Sequence, residues 1–288
     1  MCTQDQVNTM STVNRRQFAV LGASGALAAC STMDPAGVGA SGLTERMVTF
    51  AAPGGTFDGV FIHPAEGKHP AVILWPDIAG LRPAKIMMGR RLAEAGYAVL
   101  VANPYYRSVA GQQFADFDAW RNGGGFDKVR PWMALNTPEA IMDTAAAVVG
   151  WLDSQSAVDT SRGIGNQGYC MTGSWTIISA AAMPGRVKAA ASFHGGGLVS
   201  DGPHAAVNLL DDMASDAGAL IAIARNDDAQ APTDKDALKA AGDAAAADVT
   251  VEVYQGDHGW TVLDSPVYDE AEAERAWANM LALYADKL

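Results

Sequence analysis

Gly168-Tyr169-Cys170-Met171-Thr172-Gly173 joins an apolar run that closes at Tyr169 to a stretch with helical spacing over residues 171–183. Strand, tight turn and helix in that order are the setting in which a nucleophile elbow forms. The small residues at 168 and 173 let the chain reverse sharply, and the reversal holds Cys170 in a strained, exposed position at a helix N-terminus. There the helix dipole and nearby amides favour a thiolate, and the Met171 amide points to where an oxyanion would form.

Outward from this turn, strand and helix patterns alternate. Toward the N-terminus, β-type runs are expected at 47–50 and 59–63, and a fully apolar strand at Ala71–Trp75. A helix then opens at Pro83 and closes at Gly96, and a second buried strand follows at Ala98–Ala102. Thr137-Pro138 supplies an N-cap and first-turn proline for an amphipathic helix to about Ser154. Toward the C-terminus come strands at Val187–Phe193 and 219–224, a helix over 235–246, a strand over 249–254 and a last helix from Tyr268. The pattern predicts an α/β fold, a mainly parallel sheet with helices on both faces and its active groups in loops at the carboxyl ends of the strands. Residues 103–136 break the rhythm of short connections. They hold Tyr105, Tyr106, Phe114, Phe117, Trp120, Phe126 and Trp132, and read as a lid or pocket wall.

A cysteine nucleophile needs a proton partner, and Asp257-His258-Gly259-Trp260 stands directly after the last expected strand. An acid to orient that histidine belongs in a loop after an earlier strand, where Asn226-Asp227-Asp228 offers two aspartates. His63, His69 and His204 are scattered without ligand spacing, so no metal site is expected, and the chemistry requires no organic cofactor.

With these residues in view the chain resembles the dienelactone hydrolase family, from about residue 58 to the C-terminus, and the resemblance implies an α/β-hydrolase fold. Gly168-Tyr169-Cys170-Met171-Thr172-Gly173 is similar to the family's Gly-x-Cys-x-Gly-Gly, with Thr172 in place of a glycine. Asp228-Ala229-Gln230-Ala231-Pro232 is similar to its Asp-x-x-x-Pro acid loop, which favours Asp228, and Gly256-Asp257-His258-Gly259-Trp260 resembles its histidine loop. Trp75-Pro76-Asp77-Ile78-Ala79-Gly80 resembles the loop carrying a glutamate beside the thiol, replaced here by Asp77, and an oxyanion amide, here Ile78. Pro104-Tyr105-Tyr106-Arg107 resembles the segment whose arginine meets a substrate carboxylate, while Val262 stands where the family has a second arginine. The resemblance thus implies hydrolysis of a small-molecule ester or lactone, with an anionic substrate suited to Arg107. It makes Cys170, His258 and Asp228 the triad, and Ile78 and Met171 the oxyanion amides. Asp77, Tyr106, Arg107, His194 and Trp260 are the expected pocket residues; His194 reads equally as a structural histidine. A thiol-dependent acyl transferase and a non-catalytic binding protein are the rival readings.

Across 288 residues the net charge is −12 and the pI near 4.7, which disfavours a nucleic-acid partner. A hydrophobic fraction of 49% suffices for one large domain, expected over residues 43–288. Asn14-Arg15-Arg16-Gln17-Phe18, followed by an apolar small-residue run, resembles a twin-arginine export signal over residues 1–29. Leu27-Ala28-Ala29-Cys30 resembles a lipobox, with Cys30 acylated at the head of a tether over 30–42. The expected mature protein is exported, lipid-anchored and periplasmic. Cys2 leaves with the leader and Cys30 is acylated, so Cys170 is then the remaining thiol.

Overall fold

The computed structural model describes residues 37–38 and 42–288. The expected export signal, Cys2 and the acylated Cys30 lie outside the described residues.

Among the described residues nine strands form one sheet: β1 (Gly37–Val38), β2 (Leu43–Ala52), β3 (Gly55–Pro64), β4 (Ala71–Trp75), β5 (Ala98–Ala102), β6 (Ile164–Tyr169), β7 (Val187–Phe193), β8 (Gly218–Ala224) and β9 (Asp248–Tyr254). Their spatial order is β1-β2-β3-β5-β4-β6-β7-β8-β9. From β5 to β9 every pairing is parallel, and the first three strands and β5 pair antiparallel. The helices are α1 (Pro83–Glu94), α2 (Phe117–Asn122), α3 (Gly125–Met133), α4 (Pro138–Asp153), α5 (Gly173–Ala182), α6 (Ala206–Leu209), α7 (Arg225–Gln230), α8 (Asp234–Ala244) and α9 (Glu270–Lys287).

Both faces of the sheet are covered, and the strand residues alternate between two cores. Ile73, Trp75, Leu100 and Ala102 face a core shared with α4 and α5, while Val72, Leu74, Val99 and Val101 face one shared with α1 and α9. Burial on both sides explains why β4 and β5 are unbroken apolar runs rather than alternating ones. Thr137 caps α4 by accepting the Ala140 N–H, and Pro138 occupies its first turn.

Three elements differ from the sequence reading. The runs at 47–50 and 59–63 extend into a hairpin of two ten-residue strands, β2 with β3, whose mixed burial blurs the hydrophobic alternation. Gly37–Val38, inside the stretch expected to be a tether, pairs with β2, whose outer edge offers unpaired backbone groups. The aromatic connection over 103–136 folds into α2 and α3, burying Phe117 and Trp120.

Candidate active site

The candidate residues converge at the carboxyl ends of β4, β6, β7, β8 and β9. Cys170 follows β6 directly and adopts φ +55°, a left-handed conformation costly for a residue with a Cβ. A short 3-10 turn, Cys170–Thr172, runs into α5. Two glycines make this possible. A Cβ on Gly168 would stand 2.1 Å from the Thr172 carbonyl oxygen, and one on Gly173 would stand 2.3 Å from the Cα of Gly195.

The strained residue is held from both sides by the loop after β7. The Cys170 N–H donates to Nδ1 of His194 at 3.1 Å, and the Gly196 N–H donates to the Cys170 carbonyl at 2.8 Å. Thr172 fixes the turn to β4: its hydroxyl donates to the Trp75 carbonyl at 2.9 Å and accepts the Tyr169 N–H at 2.9 Å. The residue that replaces a glycine therefore ties the cysteine turn to the Ile78 loop. The chemistry of Cys170 as a nucleophile belongs to its reduced form.

His258 is buried, and its Nδ1 lies 2.7 Å from Asp227. Its backbone N–H donates to the Asn226 side chain at 2.8 Å, so two adjacent residues of the β8–α7 junction grip the histidine loop. Asp228, favoured by the family spacing, is not the residue brought to His258. Both its oxygens accept from the Lys235 ammonium, at 2.8 and 2.9 Å. The correction has a geometric cause: consecutive residues of a helical turn point about 100° apart, so neighbouring aspartates cannot serve the same partner.

His194 has φ +40° and is buried. Because Nδ1 accepts from Cys170, the ring proton belongs on Nε2, which lies 3.2 Å from the Thr261 hydroxyl. Burial, then the neighbouring His258, pushes its pKa well below the ordinary histidine value, which keeps the ring neutral. Its centroid is 4.8 Å from that of His258. His194 thus braces the cysteine, as a structural histidine would. Trp260, expected in the pocket, is fully buried against Tyr254 and His194, at 5.3 and 5.2 Å between ring centroids.

Asp77 is buried beneath the same edge. Its oxygens accept from the Arg82 guanidinium at 2.7 and 2.9 Å, with Lys85 Nζ at 3.0 Å, and one of them also accepts the Ala79 N–H. Burial raises the pKa of this carboxyl, but Arg82 and Lys85 outweigh it and hold Asp77 ionised well below the usual carboxylate range. Arg82 donates in turn to Asp264 on the loop that follows His258. Burial pushes Lys85 down to about 8 against the pull of Asp77. The cluster ties Asp77, an expected pocket residue, to two buried cations, and it fastens the Ile78 loop to the histidine loop.

Arg107 and Tyr106 are also committed elsewhere. Arg107 donates to the Ala140 carbonyl and the Thr144 hydroxyl of α4, each at 2.8 Å, and Tyr106 donates to the Pro53 carbonyl at 2.7 Å. Neither is among the described residues that line the large cleft beside Met171. Sequence reasoning missed Tyr105 as a site residue: its buried hydroxyl donates to the Ile78 carbonyl at 2.8 Å and stands 3.5 Å from the Met171 sulfur. It thereby joins the two candidate oxyanion residues. The only advance signal was its place after a strand, beside the Tyr106 that was singled out. Among the described residues no three His, Cys, Asp or Glu side chains group as metal ligands.

The model of the dienelactone hydrolase family matches residues 57–288. The chain belongs to the dienelactone hydrolase family. It is 24% identical over 226 residues to a Synechocystis protein provisionally named a carboxymethylenebutenolidase, covering 78% of this chain and 89% of that one. Among solved structures, m3DLH superposes with a TM-score of 0.71 at 21% identity, over 86% of this chain and 99% of that one. A dienelactone hydrolase from Anabaena variabilis superposes with a TM-score of 0.60 at 15% identity, over 86% of this chain and all of the other. These likenesses establish the α/β-hydrolase fold, and membership of the family makes this dienelactone hydrolase-like chain a hydrolase.

Proposed function

We propose that this family member hydrolyses a carboxylic ester or lactone through reduced Cys170, His258 and Asp227. The observation that carries the reading is the 2.7 Å contact between His258 Nδ1 and Asp227, with His258 beside the His194 ring that accepts the N–H of Cys170, itself held at φ +55° before a helix. With Nδ1–H donated to Asp227, Nε2 carries the lone pair that takes a proton from the thiol. The sulfur attacks the substrate carbonyl, the tetrahedral oxyanion is met by the Ile78 and Met171 amides, and the C–O bond breaks as His258 returns the proton to the leaving oxygen. Water, deprotonated by His258, then cleaves the thioester and regenerates the thiol with release of the carboxylic acid.

Turnover of p-nitrophenyl acetate by the purified domain over residues 43–288, under reducing conditions, tests this reading. Wild-type protein should show hydrolysis that Cys170→Ala abolishes. Hydrolysis undiminished in Cys170→Ala would sink the mechanism.

We further propose that residues 1–29 direct export and that Cys30 carries a lipid anchor facing the periplasm, on the strength of Arg15-Arg16 and Leu27-Ala28-Ala29-Cys30. Incorporation of labelled fatty acid into the full chain, lost in Cys30→Ala, is the expected result. Equal labelling of the two chains would overturn it.

A further inference from the structure

A cleft of about 710 Å³ opens beside Met171 and Gly196, the residue whose N–H holds the Cys170 carbonyl. That volume is in the range of sites for drug-sized ligands and generous for a small lactone. Its walls come from α3, the first turn of α4 and α5, with Phe126, Met133, Ile141, Trp175 and Ile178 supplying apolar surface. The titratable groups that line it are Arg130, Glu139, Asp201 and His204. The two that can carry positive charge already face carboxylates: Arg130 donates to Asp127 at 2.8 Å, and His204 Nδ1 lies 2.8 Å from Glu139. Asp201 adds a further negative charge, and the whole chain is acidic. Among the described residues, an anionic group entering this cleft therefore meets no unmatched cation.

We infer that this cleft takes an uncharged, medium-length alkyl or arylalkyl part of the ester, so that the substrate is a neutral apolar ester rather than an anionic lactone. The inference rests on the ester-hydrolase reading and extends it to the substrate class. Each methylene that leaves water for such walls contributes a roughly fourfold gain in kcat/KM. Beyond the length the cleft accommodates, the gain stops.

The test varies each half of the ester separately under reducing conditions. One arm uses p-nitrophenyl esters from acetate to decanoate, and the other alkyl acetates from methyl to decyl. A third arm compares p-nitrophenyl hemisuccinate with the neutral valerate. Rising kcat/KM along one series, with valerate preferred to hemisuccinate, is expected, and the series that rises identifies the half that enters the cleft. Ile178→Trp and Ala134→Trp should shorten the preferred chain. Ile178 is buried and Ala134 exposed, so the second variant keeps the comparison standing if the first does not fold. Acetate hydrolysis with flat profiles in both series, or a preference for hemisuccinate, overturns the inference and leaves the hydrolase reading intact. If no ester is turned over, the hydrolase reading falls and ketone binding decides the cleft. Tryptophan fluorescence of Cys170→Ala should then respond to 2-undecanone at concentrations at least tenfold lower than to 2-pentanone. No difference between the two ketones overturns the inference.

Discussion

The Cys170 backbone N–H donates to Nδ1 of His194 at 3.1 Å, and both residues have positive φ. Two strained residues on adjacent strand ends thus hold each other, and Gly196 closes the same bracket from the carbonyl side. Strain of this kind persists only where the surroundings over-determine it. His194→Ala should leave a buried N–H without its acceptor, at a cost of roughly 1–3 kcal/mol and a fall in Tm on the order of 5 °C. Misplacement of the nucleophile should lower ester kcat/KM by about 10–100-fold. His194→Asn, with an amide oxygen to accept the same N–H, should recover part of both losses. Thermal unfolding and steady-state kinetics on the two variants check this; an unchanged Tm in the alanine variant would remove His194 from its bracing role.

The neutral state of His194 carries a pH dependence whose sign is fixed. Burial, then His258, depresses its pKa in the folded protein, whereas the unfolded chain takes up a proton near the ordinary value of 6.5. The unfolded state therefore binds more protons below that value. The stability associated with the neutral ring is present above pH 6.5 and is lost as pH falls, by up to about 1.4 kcal/mol per pH unit for the single proton. Urea midpoints measured from pH 7.5 to 5 should decline in the wild type and decline less steeply in His194→Asn. Parallel curves would show that another group governs this window.

The choice between Asp227 and Asp228 is open to a direct comparison. Asp227→Asn removes the carboxylate that faces His258 Nδ1 and should lower kcat/KM by about 10³–10⁴-fold, in line with loss of the orienting acid from a triad. Asp228→Asn breaks a pair with Lys235 in which both side chains are partly exposed, and it should change kcat/KM less than about threefold. Equal losses in the two variants, measured on one aryl ester, would contradict the assignment.

What could be read from the sequence follows the range of the forces involved. β4, β5 and β7 were legible to the residue because a strand covered on both faces must be apolar throughout, and Gly168 and Gly173 marked a turn that no Cβ fits. Cys170 and His258 were legible because each stands just after a strand. Asp227 was not, since its preference over Asp228 depends on where α7 begins, a matter of one residue and about 100°. Arg107 illustrates the other limit. Its charge is visible in the sequence, but its engagement by Ala140 and Thr144 depends on how α4 packs 33 and 37 positions away. Trp260 fails for a similar reason, because its neighbour His194 arrives from β7.

Arg82 was passed over in the sequence because its second carboxylate is 182 residues distant, yet it bridges Asp77 and Asp264 from a fully buried position. Removing one partner of a buried ionic group leaves the others desolvated and uncompensated. Arg82→Met should therefore destabilise the fold by about 3–5 kcal/mol, more than the net worth of the pairs themselves. Neutralising the buried charges left behind as well, in Asp77→Asn/Arg82→Met/Lys85→Met, should restore part of the stability although more native contacts are gone; Asp264, which keeps some exposure to solvent, is left as it is. Activity need not follow, because Asp77 and Asp264 lie on the loops that carry Ile78 and follow His258. The triple variant is expected to regain urea resistance while its kcat/KM stays at least tenfold below the wild type. If Arg82→Met unfolds at the wild-type urea concentration, the cluster does not hold these loops; if the triple variant recovers full activity, the cluster stabilises the fold without positioning the site.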